Sequence, residues 1–572
     1  MTNQADQTDL CDDFDRSLHA AQARLTGGLS MTALTLAWAD WAMHMADQPG
    51  RQMELAQRAT DHWSALARQA AGLHFEPVAP DQRDHRFADA SWQSGPAALI
   101  SQAFLRLASF WNEATTNTAG VSHRNERIVN FTVRQMLDVM APSNIPFFNP
   151  EVLAKAQATQ GYSLRQGMDN FIQDLRASGN TKAQKLPLQP GKDVALTPGK
   201  LVFRNALIEL IQYEPVTKTV KPEPILIMPA WIMKYYILDL SPHNSMVKYL
   251  VAQGFTVFCI SWRNPDASMR DIGMDNYRRL GAMAAIDAIT AICGDVKIHA
   301  TGYCLGGTLL SITAATMARD HDERLATITL LAAQTDFTEA GELQLFINES
   351  QLHFLDDVMW AQGYLDAQQM SGAFQMLNAN DLIWSQMIRR YYLGEENHTN
   401  DLMSWNMDST RMPYRMHTEY LHRLFLNNDL AEGRFETDGR KISLADIHAP
   451  FFVIGTETDH IAPWRSVYKL QQFNQGDLTF ILTSGGHNAG VVSEPGHPHR
   501  HFCKLERKEG DLFVPPDEWQ TRATCQEGSW WVVWSDWLAA HSGKSITPPP
   551  LGAPGAGYPV LCAAPGTYIF QR

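Results

Sequence analysis

The chain has 572 residues, of which 45% are hydrophobic and 19% charged, and its formal net charge is −14. That length and composition belong to a globular protein of roughly two to four domains, or one large catalytic domain with an extension, and exclude global disorder. The acidic balance argues against nucleic acid as the main partner, because phosphate binding needs a basic footprint.

The N-terminal stretch MTNQADQTDLCDDFDRS is polar and acidic, with no basic segment leading into an apolar run, so no secretory signal is expected. No apolar run reaches the roughly 18 residues that span a bilayer. The expected compartment is the reducing cytoplasm, where a free thiol survives. Up to about residue 200 the pattern is mostly helical. Apolar residues recur at helical spacing over Ser30–Met45, Gln52–Ala71 (after a break at Pro49-Gly50), Ile100–Trp111 and Glu126–Met140.

From Ile225 short apolar runs alternate with helical stretches, the texture of a mainly parallel α/β sheet. The spacing predicts strands over Ile225–Met228, Phe255–Ile260, Val296–Ala300, Ala326–Leu331, Phe451–Gly455 and Leu478–Thr483. Between the fourth and fifth lies a long strand-free, aromatic-rich segment, Asp336–Asp446, too long for a crossover and read as a helical cap insertion. A Trp-rich helix, Trp530–His541, precedes a Pro/Gly-rich tail, Pro548–Gly566, expected to lie irregularly on the surface. Two domains follow: residues 1–200, helical, and residues 201–572, an α/β catalytic domain with the cap at about 336–446.

Gly302-Tyr303-Cys304-Leu305-Gly306-Gly307 sits between a predicted strand and a helix over Thr308–Ala318. This is the context of a G-x-nucleophile-x-G elbow, which marks an α/β-hydrolase fold and whose helix end favours a thiolate. The bland alternative, a buried structural cysteine in a glycine-rich turn, fits the flanking strand and helix less well. In this fold the acid and the histidine follow the nucleophile in that order. Asp459 follows the strand after the insertion and His487 follows the next one, which makes them the candidate acid and general base for Cys304. Asp336 is the alternative acid, and His460 reads as an ordinary polar loop residue. The oxyanion hole is expected from the backbone N–H of Leu305 and of Trp231 or Ile232. The seven cysteines include no CxxC pair, so neither a zinc knuckle nor a disulfide framework is expected, and no metal is assigned.

Several segments together resemble polyhydroxyalkanoate synthases: Lys234-Tyr235-Tyr236-Ile237-Leu238-Asp239-Leu240, the Cys304 box, Asp459-His460-Ile461 with Pro463-Trp464, and Gly486-His487 with Ala489-Gly490-Val491. Gly528-Ser529-Trp530-Trp531, Asp84-His85-Arg86-Phe87 with Trp92, Asn380-Asp381-Leu382-Ile383-Trp384 and Trp405-Asn406-Met407-Asp408 extend the likeness over about residues 80–572. The resemblance implies a homodimeric, granule-associated cytoplasmic acyltransferase. It would polymerise (R)-3-hydroxyacyl-CoA, with short chains favoured by Tyr303, through a Cys304 thioester assisted by His487 and Asp459. Coenzyme A would be the leaving group and no further cofactor is implied. The competing readings are a thioester or polyester hydrolase of the same fold and a non-catalytic granule protein. Lys234, Arg389 and Arg390 read as solvated surface charge. Trp405 and Asn406 read as packing or, less strongly, as pocket lining.

Overall fold

The computed structural model describes residues 2–26, 28–80, 84–178, 186–367, 383–396 and 400–572, together with 369 and 379. Asn380, Asp381 and Leu382 of the resemblance lie outside the described residues. The chain divides into two compact units, one of residues 1–22, 186–370 and 399–572, the other of residues 23–185 and 371–398. Among the described residues no helix is long and apolar enough to cross a membrane.

The second unit is helical, with Met31–Ala46, Pro49–Ala70, Gly95–Ala114, His123–Val139, Pro150–Ala158 and Tyr162–Ser178. Ser30, Ser122 and Asn149 accept backbone N–H groups at three of the N-termini, satisfying donors that a helix start leaves unpaired. Pro49-Gly50, read as a break, instead opens its helix: proline at the first position lacks only an N–H that has no partner there. Phe87, Trp92, Phe104, Leu105, Val133 and Leu137 form the core. Arg86, beside Phe87, bonds Asp84 and Asp138 at 2.7 Å each and lies over the Phe104 ring. The Asp84–Phe87 motif is thus the polar clasp of this core.

The first unit is built on an eleven-stranded sheet. Its strands are β1 (Gly199–Arg204), β2 (Ile208–Tyr213), β3 (Ile225–Met228), β4 (Val257–Trp262), β5 (Ile298–Tyr303), β6 (Leu325–Leu331), β7 (Phe451–Thr456), β8 (Leu478–Thr483), β9 (His501–Arg507), β10 (Thr524–Glu527) and β11 (Cys562–Ala563). Their spatial order is β10-β9-β8-β7-β6-β5-β3-β4-β2-β1-β11. Strands β3 to β8 run parallel and the flanks antiparallel, the α/β-hydrolase arrangement expected from the sequence. Every residue of β3, β4, β5, β7 and β8 is buried, as parallel strands covered on both faces must be.

Six strands were expected; the main sheet adds five antiparallel ones, and the insertion, expected to be free of strands, adds four short ones among the described residues because its turns close into two local pairs. The tail is a correction: β11 pairs with β1, so Pro548–Gly566 is tied to the sheet edge rather than lying irregularly. The cysteines are a second correction. Cys503 and Cys525 oppose each other across β9 and β10 and form a disulfide, a pairing that sequence spacing cannot show. The insertion between β6 and β7 holds helices Glu349–Gln362, Asp401–Asn406 and Tyr414–Glu419, and two short antiparallel pairs, Tyr364–Leu365 with Met412–Pro413 and Glu436–Thr437 with Arg440–Lys441.

Candidate active site

Cys304 stands between β5 and the helix Leu305–Arg319, at φ 52° and ψ −125°. That is a costly conformation for a residue with a Cβ, and surrounding packing must enforce it. The packing is visible at the flanking glycines. A Cβ on Gly302 would sit 2.3 Å from the Gly307 Cα, and one on Gly306 would sit 2.1 Å from the Met228 carbonyl oxygen. The turn is also pinned by the Cys304 N–H, which donates to the Leu331 carbonyl at 2.9 Å, and by the Gly307 N–H, which donates to the Cys304 carbonyl at 2.9 Å. The helix starts at Leu305, three residues earlier than its periodicity suggests, so its positive end lies directly at the thiol-bearing residue.

Asp459 follows β7 and uses both carboxylate oxygens. Oδ1 accepts the N–H groups of Ile461 and Ala462 at 2.8 Å each, and Oδ2 accepts the Thr456 hydroxyl at 2.9 Å. The same Oδ2 lies 2.7 Å from His487 Nδ1, and both side chains are buried. A carboxylate on Nδ1 fixes the ring and leaves Nε2 for chemistry. Burial alone would push the His487 pKa down. The charges of Asp459 and Cys304 and the hydrogen bond to Asp459 outweigh it and hold the imidazole well above its ordinary value. Burial would raise Asp459, but His487 and the two backbone donors hold it low. Asp459 and His487 therefore form a buried ion pair, and the half-buried Cys304 acts on the same imidazole.

The histidine loop is braced from several distant elements. Trp530 and Trp531 donate their indole N–H groups to the Gly490 and Val491 carbonyls at 3.0 Å each, and Ser529 bonds the Ser493 carbonyl. Arg500 donates to the Ser484 and Ala489 carbonyls at 3.4 and 2.7 Å, spanning the loop. Tyr303 lies against the His487 ring, with centroids 5.6 Å apart, and donates to Asn488 Oδ1 at 2.6 Å. Arg500 and Asn488 carry no motif signal from which these roles could be read; the Trp530-Trp531 pair stood out without its purpose being apparent.

The alternative acid, Asp336, is engaged elsewhere. It takes the Thr338 N–H at 2.9 Å and Asn428 Nδ2 at 3.2 Å, with Lys469 at 3.5 Å. Leu305 and Trp231, the expected oxyanion donors, are both buried, and Ile232 follows in the same loop. Lys234 is a correction to the surface reading. It is 3% exposed and donates to the Tyr568 and Gln571 carbonyls at 3.2 and 2.8 Å. Burial pushes its ammonium down to about 8, against the opposing pull of Asp408. Arg390 pairs with Asp174 at 2.6 Å, while Arg389 is exposed. Trp405 is buried, and Asn406 Oδ1 accepts from Asn488 at 3.4 Å.

One cluster of metal-ligand type occurs among the described residues: His19, His353 and Asp357, with ligand atoms within 4.8 Å of one another. Asp357 Oδ2 already takes His19 Nδ1 at 2.6 Å, and its Oδ1 faces Arg16 at 3.7 Å, a cation that opposes a second one.

Three family models match this chain. One described as the N-terminus of poly-beta-hydroxybutyrate polymerase (PhaC) covers residues 83–250, a second poly-beta-hydroxybutyrate polymerase N-terminal model covers residues 11–51, and the alpha/beta hydrolase fold covers residues 223–493. A poly(3-hydroxyalkanoate) polymerase from Methylorubrum extorquens is 39% identical over 91% of this chain and 86% of its own length. A poly(3-hydroxyalkanoate) polymerase subunit from Rhizobium etli is 36% identical over 88% of this chain and 79% of its own. Among solved structures, a monoacylglycerol lipase from Paleococcus ferrophilus is similar at TM-score 0.31 and 10% identity, covering 59% of this chain and 99% of that one.

Proposed function

We propose that this chain, which belongs to the poly(3-hydroxyalkanoate) polymerase family, builds its polyester through a covalent acyl group on Cys304. As an acyltransferase of that family it makes polyester; the route through Cys304, His487 and Asp459 is the reading offered here. The substrate is an (R)-3-hydroxyacyl-CoA, with 3-hydroxybutyryl-CoA as the first candidate. The Cys304 thiolate attacks the thioester carbonyl, and the tetrahedral oxyanion is met by the backbone N–H groups of Leu305 and of Trp231 or Ile232. As the intermediate collapses, the coenzyme A sulfur leaves and takes the proton held by His487. A hydroxyl from another hydroxyacyl unit then attacks the acyl-Cys304 carbonyl. His487 removes its proton, the new ester forms, and the Cys304 thiolate departs.

The observation that carries this reading is the buried His487 held by Asp459 Oδ2 at 2.7 Å from its Nδ1, together with the strained Cys304 turn at the start of its helix. The arrangement suits the order of events: the raised His487 pKa keeps a proton at hand for the leaving sulfur, and the same ring, once it has given that proton up, is the base that the incoming hydroxyl needs. Cysteine also suits the task because its acyl form keeps thioester reactivity toward an alcohol. Coenzyme A is a leaving group here, and no cofactor enters any step. Work in the cytoplasm, at the polymer granule surface and as a homodimer belongs to the same proposal. Co-sedimentation with granules and analytical ultracentrifugation test those two associations.

The deciding experiment incubates the protein with 3-hydroxybutyryl-CoA, follows coenzyme A release, and takes intact masses at early times. An adduct on Cys304 followed by insoluble polyester supports the proposal. Free hydroxy acid would favour the hydrolase, and no release at all a non-catalytic protein.

A further inference from the structure

The loop Pro229–Tyr235, which follows β3, has its peptide planes held from outside. Trp262 donates its indole N–H to the Pro229 carbonyl at 2.8 Å. Thr410 donates its hydroxyl to the Trp231 carbonyl at 2.8 Å and its backbone N–H to the Ile232 carbonyl at 3.2 Å. Trp405 donates its indole N–H to the Lys234 carbonyl at 2.7 Å. Trp405 and Thr410 both come from the insertion, so one short segment of it holds three carbonyls of the loop.

A peptide unit is planar and trans, so its C=O and its N–H point in opposite directions. A bond that fixes the carbonyl of Trp231 therefore also fixes the direction of the N–H of Ile232. Thr410 is 2% exposed, and a hydrogen bond at that depth is expensive to leave unmade. The segment is itself anchored. Tyr236 donates to Asp408 at 3.0 Å, Arg572 pairs with the same carboxylate, and the Arg411 N–H donates to Asn264 at 3.0 Å.

We infer that Thr410 is a positioning residue for the oxyanion hole: through the Trp231 carbonyl it sets the Ile232 N–H, and so makes the insertion a working part of the catalytic centre. The inference rests on the acyl-Cys304 reading above and selects Ile232, rather than Trp231, as the donor whose plane is locked. It gives the insertion a task in the catalytic centre itself. A displaced Trp405–Thr410 segment would release the loop, so the oxyanion site exists only while the segment is seated.

The test compares full-length wild type with Thr410→Val, which keeps the shape and loses the hydroxyl, and Thr410→Ser, which restores it. Removing an oxyanion donor outright costs on the order of 100- to 1,000-fold in kcat, so a misdirected one is expected to cost about 10- to 100-fold, with KM for 3-hydroxybutyryl-CoA within about twofold. Thr410→Ser should recover to within a few-fold of wild type. A trifluoromethyl ketone analogue of the thioester, which forms a hemithioketal oxyanion with the cysteine, should bind Thr410→Val more weakly by a factor matching the loss in kcat/KM. Alkylation of Cys304 by iodoacetamide, which develops no oxyanion, should be unchanged. Wild-type ketone affinity in Thr410→Val, failure of serine to rescue, or an equal loss in alkylation would overturn the inference alone. Absence of a ketone adduct on Cys304 in the wild type would overturn the acyl-enzyme reading with it.

Discussion

The Cys304 turn and the His487 loop follow two parallel strands of the same sheet, β5 and β8, yet they are built by different means. The turn is marked by six consecutive residues: a Cβ on Gly302 or Gly306 would sit 2.3 or 2.1 Å from neighbouring backbone, and Cys304 takes the strained conformation between them. The loop is defined by side chains from elsewhere in the chain: Asp459 on the ring, Arg500 across its ends, and Trp530 and Trp531 on the residues that follow. A strained turn needs close packing and little else, whereas a base that must shuttle a proton needs its ring held at a set angle. The glycines that permit the first are visible in local sequence, whereas the braces of the second come from side chains scattered along the chain.

This difference can be broken or sharpened by mutation. The largest effect is expected from Cys304→Ala, which removes one sulfur and relaxes nothing else in the turn. Coenzyme A release should vanish while circular dichroism and the melting profile stay those of the wild type. Turnover by the folded variant would remove Cys304 from the chemistry.

His487→Ala comes next. Loss of a positioned acid–base group costs on the order of 100- to 10,000-fold, in elongation as well as acylation, while His460→Ala should stay within a few-fold. Stopped-flow measurement of both steps checks this, and a reversed order of severity would move the base to His460.

Asp459→Asn should separate the two steps. Elongation, which must deprotonate an alcohol, is expected to fall well below the acylation burst seen by intact mass. The pH dependence carries a sign. Asp459 is the largest of the influences that raise the His487 pKa, and the neutral, basic imidazole accumulates as pH rises through that raised value. Without the carboxylate the rising limb of the elongation profile should shift to lower pH, with a lower plateau. A limb that stays in place would show that Asp459 does not control His487.

The smallest effect should come from the outer braces. Trp530→Phe keeps an aromatic ring and deletes the donor to the Gly490 carbonyl. A hydrogen bond of about 1 kcal/mol predicts roughly a fivefold loss in elongation, with Cys304 alkylation unaffected. An equal loss in alkylation would mean that the brace serves the whole sheet rather than the loop.

The same contrast explains what could be read in the sequence. The parallel strands β3 to β8 were legible because burial on both faces makes them short, continuous apolar runs; β5 and β4 are displaced by two residues from expectation, but none of the six is missing. Strands β9 and β10, HFCKLER and TCQE, face solvent on one or both sides and show no such run. The Cys503–Cys525 pair depends on their register, and so was hidden with them. Asp459 and His487 could be proposed from chain order alone, and the structure brings them within 2.7 Å. Thr410, Arg500 and Lys234 could not, since a buried donor to a distant carbonyl leaves no pattern in its own neighbourhood. Lys234 in particular reads as surface charge because lysine is mostly exposed.

Strand β11 has a consequence in time rather than in space. It completes the outer edge of the sheet by pairing with β1, and just beyond it Thr567 and Tyr568 donate their N–H groups to the buried Glu209 of β2 at 2.8 and 3.0 Å. The Arg204–Thr567 bond joins residues 363 apart in the chain. Pairings of such long range form late, after the loop between them has closed. During synthesis β1 therefore emerges as an open edge, with unpaired backbone groups that invite association with other strands. The buried amine of Lys234 likewise waits for its acceptors at Tyr568 and Gln571. A chain lacking residues 562–571 would therefore hold most of its sheet but neither its sealed edge nor the acceptors of its Lys234 amine.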